Sequence, residues 1–225
     1  MELNKKPTII SIDGNIGSGK STLLAHLKEY FKDNKNIIFL KEPVDEWEMI
    51  KDENNVTVLE KFYADQKAYS FSFQMMAYIS RLAILKEAVE KNPNGIIISE
   101  RSLYTDRMVF AKMLYDSGNI EKINYTIYLK WFDTFISEFK LDKVIYVKTD
   151  PTICHERIVK RSRQGESCIP LEYLVNCDKY HNEMLDKNTA DCICHDQLIL
   201  DGNIDIYSKI NQINTWSRMI SEFIQ

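Results

Sequence analysis

Five short runs rich in β-branched residues recur along the chain, at Thr8–Ile12, Asn36–Leu40, Gly95–Ser99, Lys143–Lys148 and Gln197–Leu200. Each is continuously apolar rather than alternating, which is the pattern of strands buried on both faces. Between them the apolar spacing changes to three and four residues, predicting helices over Ser21–Lys32, Gln66–Lys91, Ile120–Phe139, Pro151–Arg163, Pro170–Asn188 and Ile204–Phe223. Strands separated by helical patterns imply parallel pairing through helical crossovers. The expected class is therefore a doubly wound α/β fold, a five-stranded parallel sheet with helices on both faces. No repeat, low-complexity tract or proline-marked linker divides the sequence, so residues 1–225 are read as one domain. Tyr125, Tyr128, Trp131, Phe132, Phe135 and Phe139 share one broad apolar helix face, read as core packing rather than as an oligomer surface.

Composition narrows the class. A chain of 225 residues, 44% hydrophobic and 11% aromatic, can bury a core of ordinary size, which argues against general disorder. With 29 basic and 33 acidic residues the net charge is −4, so no nucleic-acid polymer is expected as partner. No apolar run reaches the roughly 18 residues of a membrane-spanning helix. MELNKKP leads directly into the first predicted strand without a secretory or transit pattern, so the cytoplasm is the expected compartment. Five irregularly spaced cysteines, Cys154, Cys168, Cys177, Cys192 and Cys194, suit reduced thiols. Cys192-Ile193-Cys194-His195 lacks the second ligand pair that zinc spacing requires.

Glycine is scarce, seven in all, yet Gly14, Gly17 and Gly19 fall within six positions. The string Gly14-Asn15-Ile16-Gly17-Ser18-Gly19-Lys20-Ser21 matches GxxxxGK[ST] at every fixed position, directly after a predicted strand and before a predicted helix. Such a loop turns its backbone N–H groups toward phosphate oxygens, and the following helix adds the positive end of its dipole. Lys20 supplies a mobile charge, Ser21 a hydroxyl for Mg²⁺, and Thr22 completes an ATP-binding stretch from Gly14 to Thr22. A guanine-reading NKxD after a strand is absent, which lowers a GTPase reading.

Two further clusters follow predicted strands, at the sheet edge where open α/β folds collect ligands. One is Glu42-Pro43-Val44 and the other Glu100-Arg101-Ser102. Either alone reads as a solvated strand end. Both together beside a phosphate loop suggest an acceptor site for phosphoryl transfer.

These motifs resemble the deoxyribonucleoside kinase family, which includes deoxycytidine, deoxyguanosine and mitochondrial thymidine kinases and the insect multisubstrate enzyme. The resemblance covers nearly the whole chain. It rests on the phosphate loop, Glu42-Pro43-Val44 with Trp47, Phe62-Tyr63, Phe71-Ser72-Phe73-Gln74, Glu100-Arg101-Ser102 through Asp106-Arg107, an arginine-rich segment, and Ile169-Pro170-Leu171-Glu172-Tyr173-Leu174. It implies a P-loop kinase fold and transfer of the ATP γ-phosphate to a deoxynucleoside 5′-hydroxyl in nucleotide salvage, with Mg²⁺ as cofactor. It also implies a homodimer built on long helices, for which Gln66–Lys91 and Ile120–Phe139 are the candidates.

The same resemblance assigns roles. Glu42 is the general base, Arg101 steadies it and the transferring phosphate, Lys20 acts with them, and Glu100 joins Ser21 in the magnesium sphere. An arginine-rich lid over about residues 157–169 brings Arg157, Arg161 and Arg163 onto the ATP phosphates, and Gly165 departs from a frequent acidic residue there. Tyr63 and Glu166 meet the sugar 3′-hydroxyl, Gln74 the base edge, and Trp47, Phe73 and Phe110 the ring faces; Gly202 borders the ATP base.

Ala77, Arg81 and Asp106 occupy three positions that separate family branches, apolar in thymidine-preferring members. An Arg–Asp pair beside Gln74 offers a carboxylate acceptor to an exocyclic amino group, whereas thymine presents O4, another acceptor, at a cost of about 1–3 kcal/mol. Deoxycytidine and purine deoxynucleosides are therefore expected ahead of thymidine. A thymidylate-type monophosphate kinase is the nearest alternative, but it needs cations where Glu42 stands. A non-catalytic nucleotide-binding subunit would be free to lose Glu42, Arg101 or Lys20.

Overall fold

In the computed structural model, residues 6–161, 169–206 and 209–225 are described. The strands are β1 (Thr8–Asp13), β2 (Ile37–Leu40), β3 (Ile96–Glu100), β4 (Lys143–Lys148) and β5 (Gln197–Asp201). The helices are α1 (Lys20–Tyr30), α2 (Val44–Trp47), α3 (Val58–Ala64), α4 (Gln66–Lys91), α5 (Leu103–Thr105), α6 (Lys112–Asp116), α7 (Lys122–Phe135), α8 (Pro151–Arg161), α9 (Leu171–Leu185) and α10 (Ile210–Phe223). A π-helix, Asp106–Ala111, joins α5 to α6.

All five strands are parallel, in the order β2-β3-β1-β4-β5. Successive side chains of β1 to β4 enter different cores, whereas β5 at the sheet edge gives Leu198 and Leu200 to one core and leaves Ile199 exposed. Ile9, Ile97, Val144 and Tyr146 join one cluster with residues of α4, α7 and α9, while Ile10, Ile12, Ile98, Ile145 and Val147 join another with Leu23, Leu24 and Leu27 of α1 and Trp216 and Ile220 of α10. Both faces of the inner strands are thus covered, which is why those strands read as continuous apolar runs. The chain leaves β1 toward β2 and β3 on one side and crosses to β4 and β5 on the other. The carboxyl end of β1 therefore lies at the topological switch point where such sheets bind ligands.

The expected class and strands agree with the structure, and the helices differ in detail. The predicted helix Ile120–Phe139 is α7 followed by a 3₁₀ turn, Ile136–Glu138. Its aromatic face divides: Tyr128, Phe132 and Phe139 are buried, but Trp131 is 47% exposed. The predicted helix Ile204–Phe223 begins only at Ile210, because β5 first runs into a turn where Gly202 N donates to Lys148 O at 2.7 Å. The final residues of the predicted helix Pro151–Arg163 lie outside the described residues. Helices α2, α3, α5 and α6 and the π-helix span seven residues or fewer, too short for apolar periodicity to register. Among the described residues no helix is long and apolar enough to cross a membrane.

Candidate active site

The phosphate loop is shaped by what packs behind it. Gly17 has φ 80°, and a Cβ there would stand 2.5 Å from Cys154 O, so α8 can approach only a glycine. Asn15 is 2% exposed; its Oδ1 accepts from Ile16 N and its Nδ2 donates to Leu174 O, both at 2.8 Å, tying the loop to α9. Gly19 N-caps α1 without a side-chain cap, which leaves the first amides of the helix to an anion. Lys20 Nζ donates to Asn15 O at 2.6 Å. Burial, with Arg101 nearby, lowers its pKa to about 7.

On the acceptor side three segments meet at two guanidinium groups. Arg81 of α4 donates through Nη2 to Glu42 Oε1 at 2.8 Å, through Nε to Asp106 Oδ2 at 2.8 Å and through Nη1 to Glu100 O at 2.7 Å. Arg101 reaches the same Glu42 oxygen through Nε at 3.1 Å and donates through Nη1 to Gly14 O at 3.0 Å. It does so from a left-handed backbone with φ 66°, unusual for a side-chain-bearing residue. Its own N–H donates to Ile12 O at 3.0 Å, and its carbonyl accepts from Ser99 Oγ at 2.7 Å. Burial opposes ionisation of Glu42, but Arg101, Arg81 and Lys20 outweigh it and hold the pKa at about 2. The two carboxylates likewise keep Arg81 charged despite its burial.

One cavity of about 690 Å³ runs from the loop to these arginines. Ile16, Gly17, Ser18, Gly19, Lys20, Ser21, Thr22, Arg157 and Arg161 line its donor end, and Glu42, Trp47, Tyr63, Phe73, Gln74, Ala77, Arg81, Glu100, Arg101, Asp106 and Phe110 its acceptor end. Gly14 and Asn15 lie behind that lining, as supports. Arg163, Glu166 and Gly165 lie outside the described residues.

Local signals set the walls. A capping box at the start of α3, with Glu60 N donating to Thr57 Oγ1 and Thr57 N to Glu60 Oε2, fixes the helix that carries Tyr63. Phe62 stacks on Phe73 with centroids 4.6 Å apart, and Trp47 meets Phe73 edge-on at 5.6 Å. Arg101 covers the Phe110 ring at 4.8 Å. The wider turn of the π-helix carries both Asp106 and Phe110 to the cavity.

The cavity also includes residues the sequence reading did not assign. Val44, Leu59, Phe62 and Tyr173 complete the acceptor end; Ile153, Glu156, Lys160, Asn203, Ile204, Asp205, Ile206 and Trp216 extend the donor end beside Gly202, which was expected there. Phe62 and Tyr173 stood in the strings that carry the resemblance, but apolar residues at helical spacing look like core. Gly202 is required at its turn, because a Cβ there would fall 2.0 Å from Thr149 Oγ1.

Ser21 Oγ donates to Glu100 Oε1, bringing a hydroxyl and a carboxylate together at the mouth of the phosphate loop. Both are hard oxygen donors. Among the described residues no cluster of three or more His, Cys, Asp or Glu side chains is arranged to hold a metal ion. One carboxylate, one hydroxyl and a neighbouring phosphate is the donor set of a small hard divalent cation rather than of a soft one.

The Deoxynucleoside kinase family model matches residues 10–225. The chain is 33% identical to a probable deoxycytidine kinase of fowlpox virus over 100% of this chain and 90% of that protein. It is 34% identical to a mitochondrial deoxyguanosine kinase of Xenopus laevis, over 81% of this chain and 74% of the relative. Against human mitochondrial thymidine kinase 2 the identity is 29% over 88% and 72%. A phosphate loop facing a guanidinium-held carboxylate across one cavity, with this match over almost the full length, identifies the chain as a member of the deoxynucleoside kinase family of ATP-dependent phosphotransferases.

Proposed function

We propose that the cavity holds ATP at the phosphate loop and a deoxynucleoside against Glu42, which orients the 5′-hydroxyl for attack on the γ-phosphate. The observation that carries this reading is the grip of Arg81 and Arg101 on Glu42 inside the same cavity as Lys20. A carboxylate with a pKa of about 2 is a weak base. Glu42 accepts the hydroxyl hydrogen bond from the start and takes the proton late, once the oxygen has become acidic through bonding to phosphorus, as a loose transition state permits. Lys20, Arg101, Arg157 and Arg161 surround the phosphates, the last two from the described start of the lid; Arg163 belongs to the same lid.

Ser21 and Glu100 would hold Mg²⁺, which when bound neutralises phosphate charge. Trp47, Phe62, Phe73 and Phe110 enclose the base, Gln74 reads its edge, and Tyr63 with Glu166 holds the sugar hydroxyl. Arg81 spends its Nε–H on Asp106 Oδ2 and leaves Oδ1 as an acceptor for an amino group, which supports deoxycytidine and purine deoxynucleosides ahead of thymidine. A homodimer is supported by Ile123, Ile127 and Trp131, exposed at four-residue spacing on α7, together with exposed Ile79 on α4. Among the described residues Cys154, Cys177, Cys192 and Cys194 are free thiols, which suits the reducing cytoplasm.

The test is Glu42→Gln, assayed with ATP and each of deoxycytidine, deoxyadenosine, deoxyguanosine and thymidine. The expected outcome is a kcat lower by about 10²-fold or more with ATP affinity retained; an unchanged kcat overturns the assignment.

A further inference from the structure

The phosphate loop begins at a buried carboxylate that the chemistry above does not use. Asp13, the last residue of β1, is fully shielded from solvent. Its Oδ2 accepts from Ser11 Oγ at 2.5 Å and its Oδ1 from Thr105 Oγ1. Thr105 Oγ1 in turn lies 2.9 Å from Ser102 Oγ, which accepts from Thr105 N at 3.1 Å and caps α5. The arginines of the site are committed elsewhere, Arg81 to Glu42 and Asp106 and Arg101 to Glu42. Taking a carboxylate this far from water is costly unless hydrogen bonds compensate, and here two hydroxyls do so.

The position of the two partners gives the contact its meaning. Asp13 is followed directly by Gly14 and the donor loop, while Thr105 is followed directly by Asp106 and the π-helix that lines the acceptor end. The bond between them joins the half of the site that holds the transferred phosphate to the half that holds the attacking hydroxyl. Neither side chain lines the cavity.

We propose that Asp13 is a positioning residue: through Thr105 it fixes the distance between the phosphate loop and the acceptor-binding π-helix, and so aligns the 5′-hydroxyl with the γ-phosphate. The proposal rests on the donor and acceptor assignment given above. Phosphoryl transfer draws its rate chiefly from alignment and charge neutralisation, and a displacement of about 1 Å can cost about 10²-fold. Each half keeps its own binding contacts without the tie, Lys20 and the loop amides on one side and Glu42, Arg81 and Asp106 on the other. Loss of the tie therefore falls on turnover rather than on the binding of either substrate alone.

Thr105→Val keeps the shape and removes the hydroxyl, Thr105→Ser keeps the hydroxyl, and Asp13→Asn keeps the shape and removes the charge. The expected result is a kcat lower by about tenfold or more for Thr105→Val, with dissociation constants of ATP and deoxycytidine, each titrated alone, changed by less than about threefold. Thr105→Ser retains turnover. Asp13→Asn reproduces the Thr105→Val defect, and the double variant is no slower than Asp13→Asn. The proposal is overturned by an unchanged kcat in Thr105→Val, by parallel weakening of both dissociation constants without a separate loss of turnover, or by defects that multiply in the double variant. If Asp13→Asn does not fold, the Thr105 pair decides alone. Glu42→Gln serves as the control: a loss of turnover there with none in Thr105→Val sinks this proposal only, whereas no loss in either sinks the acceptor-site reading beneath it.

Discussion

Arg81 holds Glu42 at 2.8 Å from the interior of α4, and the same guanidinium holds Asp106 at 2.8 Å. Both side chains of the Arg81–Asp106 pair are 3% exposed, so removing the cation strands Asp106 away from water and leaves Glu42 to Arg101. Breaking a buried pair from one side costs about 3–5 kcal/mol. Arg81→Ala should lose that much stability in urea denaturation. It should also raise the pKa of Glu42 from about 2, because burial then faces only Arg101 and Lys20. The acid limb of the pH–rate profile moves to higher pH accordingly. A stability loss under about 1 kcal/mol with an unmoved limb would show the network to be incidental.

Lys20 titrates near neutrality, at about 7, because it is buried beside Arg101. A bound polyphosphate adds negative charge next to it and raises that pKa. At pH 8 the free enzyme carries Lys20 mostly neutral, so ATP binding should take up a proton there; near pH 6, where Lys20 is already charged, this uptake vanishes. Calorimetry in two buffers of different ionisation enthalpy measures the proton count. Lys20→Arg, whose guanidinium stays charged, should abolish the uptake at pH 8, and persistence of the full uptake would assign it to another group.

The base preference can be inverted by removing the Arg81–Asp106 charges together. In Arg81→Met with Asp106→Ala no carboxylate opposes thymine O4, and neither charge is left buried alone. The ratio of kcat/KM for thymidine to that for deoxycytidine should rise by about tenfold or more, from relief of a mismatch of about 1–3 kcal/mol. Turnover on every nucleoside falls as well, since Glu42 loses one of its two anchors. A ratio unchanged across the four deoxynucleosides would remove Asp106 from base recognition.

The inner strands are legible in the chain because Thr8–Ile12, Gly95–Ser99 and Lys143–Lys148 are buried on two faces, and a doubly buried strand leaves an unbroken apolar run. The phosphate loop is legible because its backbone geometry admits glycine at fixed spacing, as at Gly17 against Cys154 O. Pairwise contacts between distant segments leave no such trace. Nothing in the spacing of Arg81 says that it spans Glu42, Asp106 and Glu100 O. The resemblance supplied its position and its pairing with Asp106, and the structure supplied Glu42 and Glu100 O. Phe62 and Trp216 belong to the packed clusters and also line the cavity; core and cavity wall have the same polarity, so only three-dimensional placement shows which residues do both. Asp13 had no legible role at all, since its partner Thr105 is far along the chain and joined only through a hydroxyl.

His181 of α9 is the group whose titration should dominate acid sensitivity in the near-neutral range. It is fully buried, with Nδ1 2.7 Å from Cys177 O, Nε2 without a hydrogen-bond partner, and its ring between Phe110 and Tyr146. Burial, reinforced by the charge of Arg101, lowers its pKa to about 3. The unfolded chain binds this proton near pH 6.5 and the folded one does not, so stability is complete above about 6.5 and falls as pH drops toward the folded value. The cost at pH 5 is about 2 kcal/mol. His181→Phe keeps a ring in the slot and removes the titration. Its urea midpoint relative to the parent should therefore improve steadily from pH 7 to pH 5. A difference between the two proteins that stays constant over that range would mean that His181 is protonated in place, and that the arrangement of Phe110 and Tyr146 around it tolerates a charge.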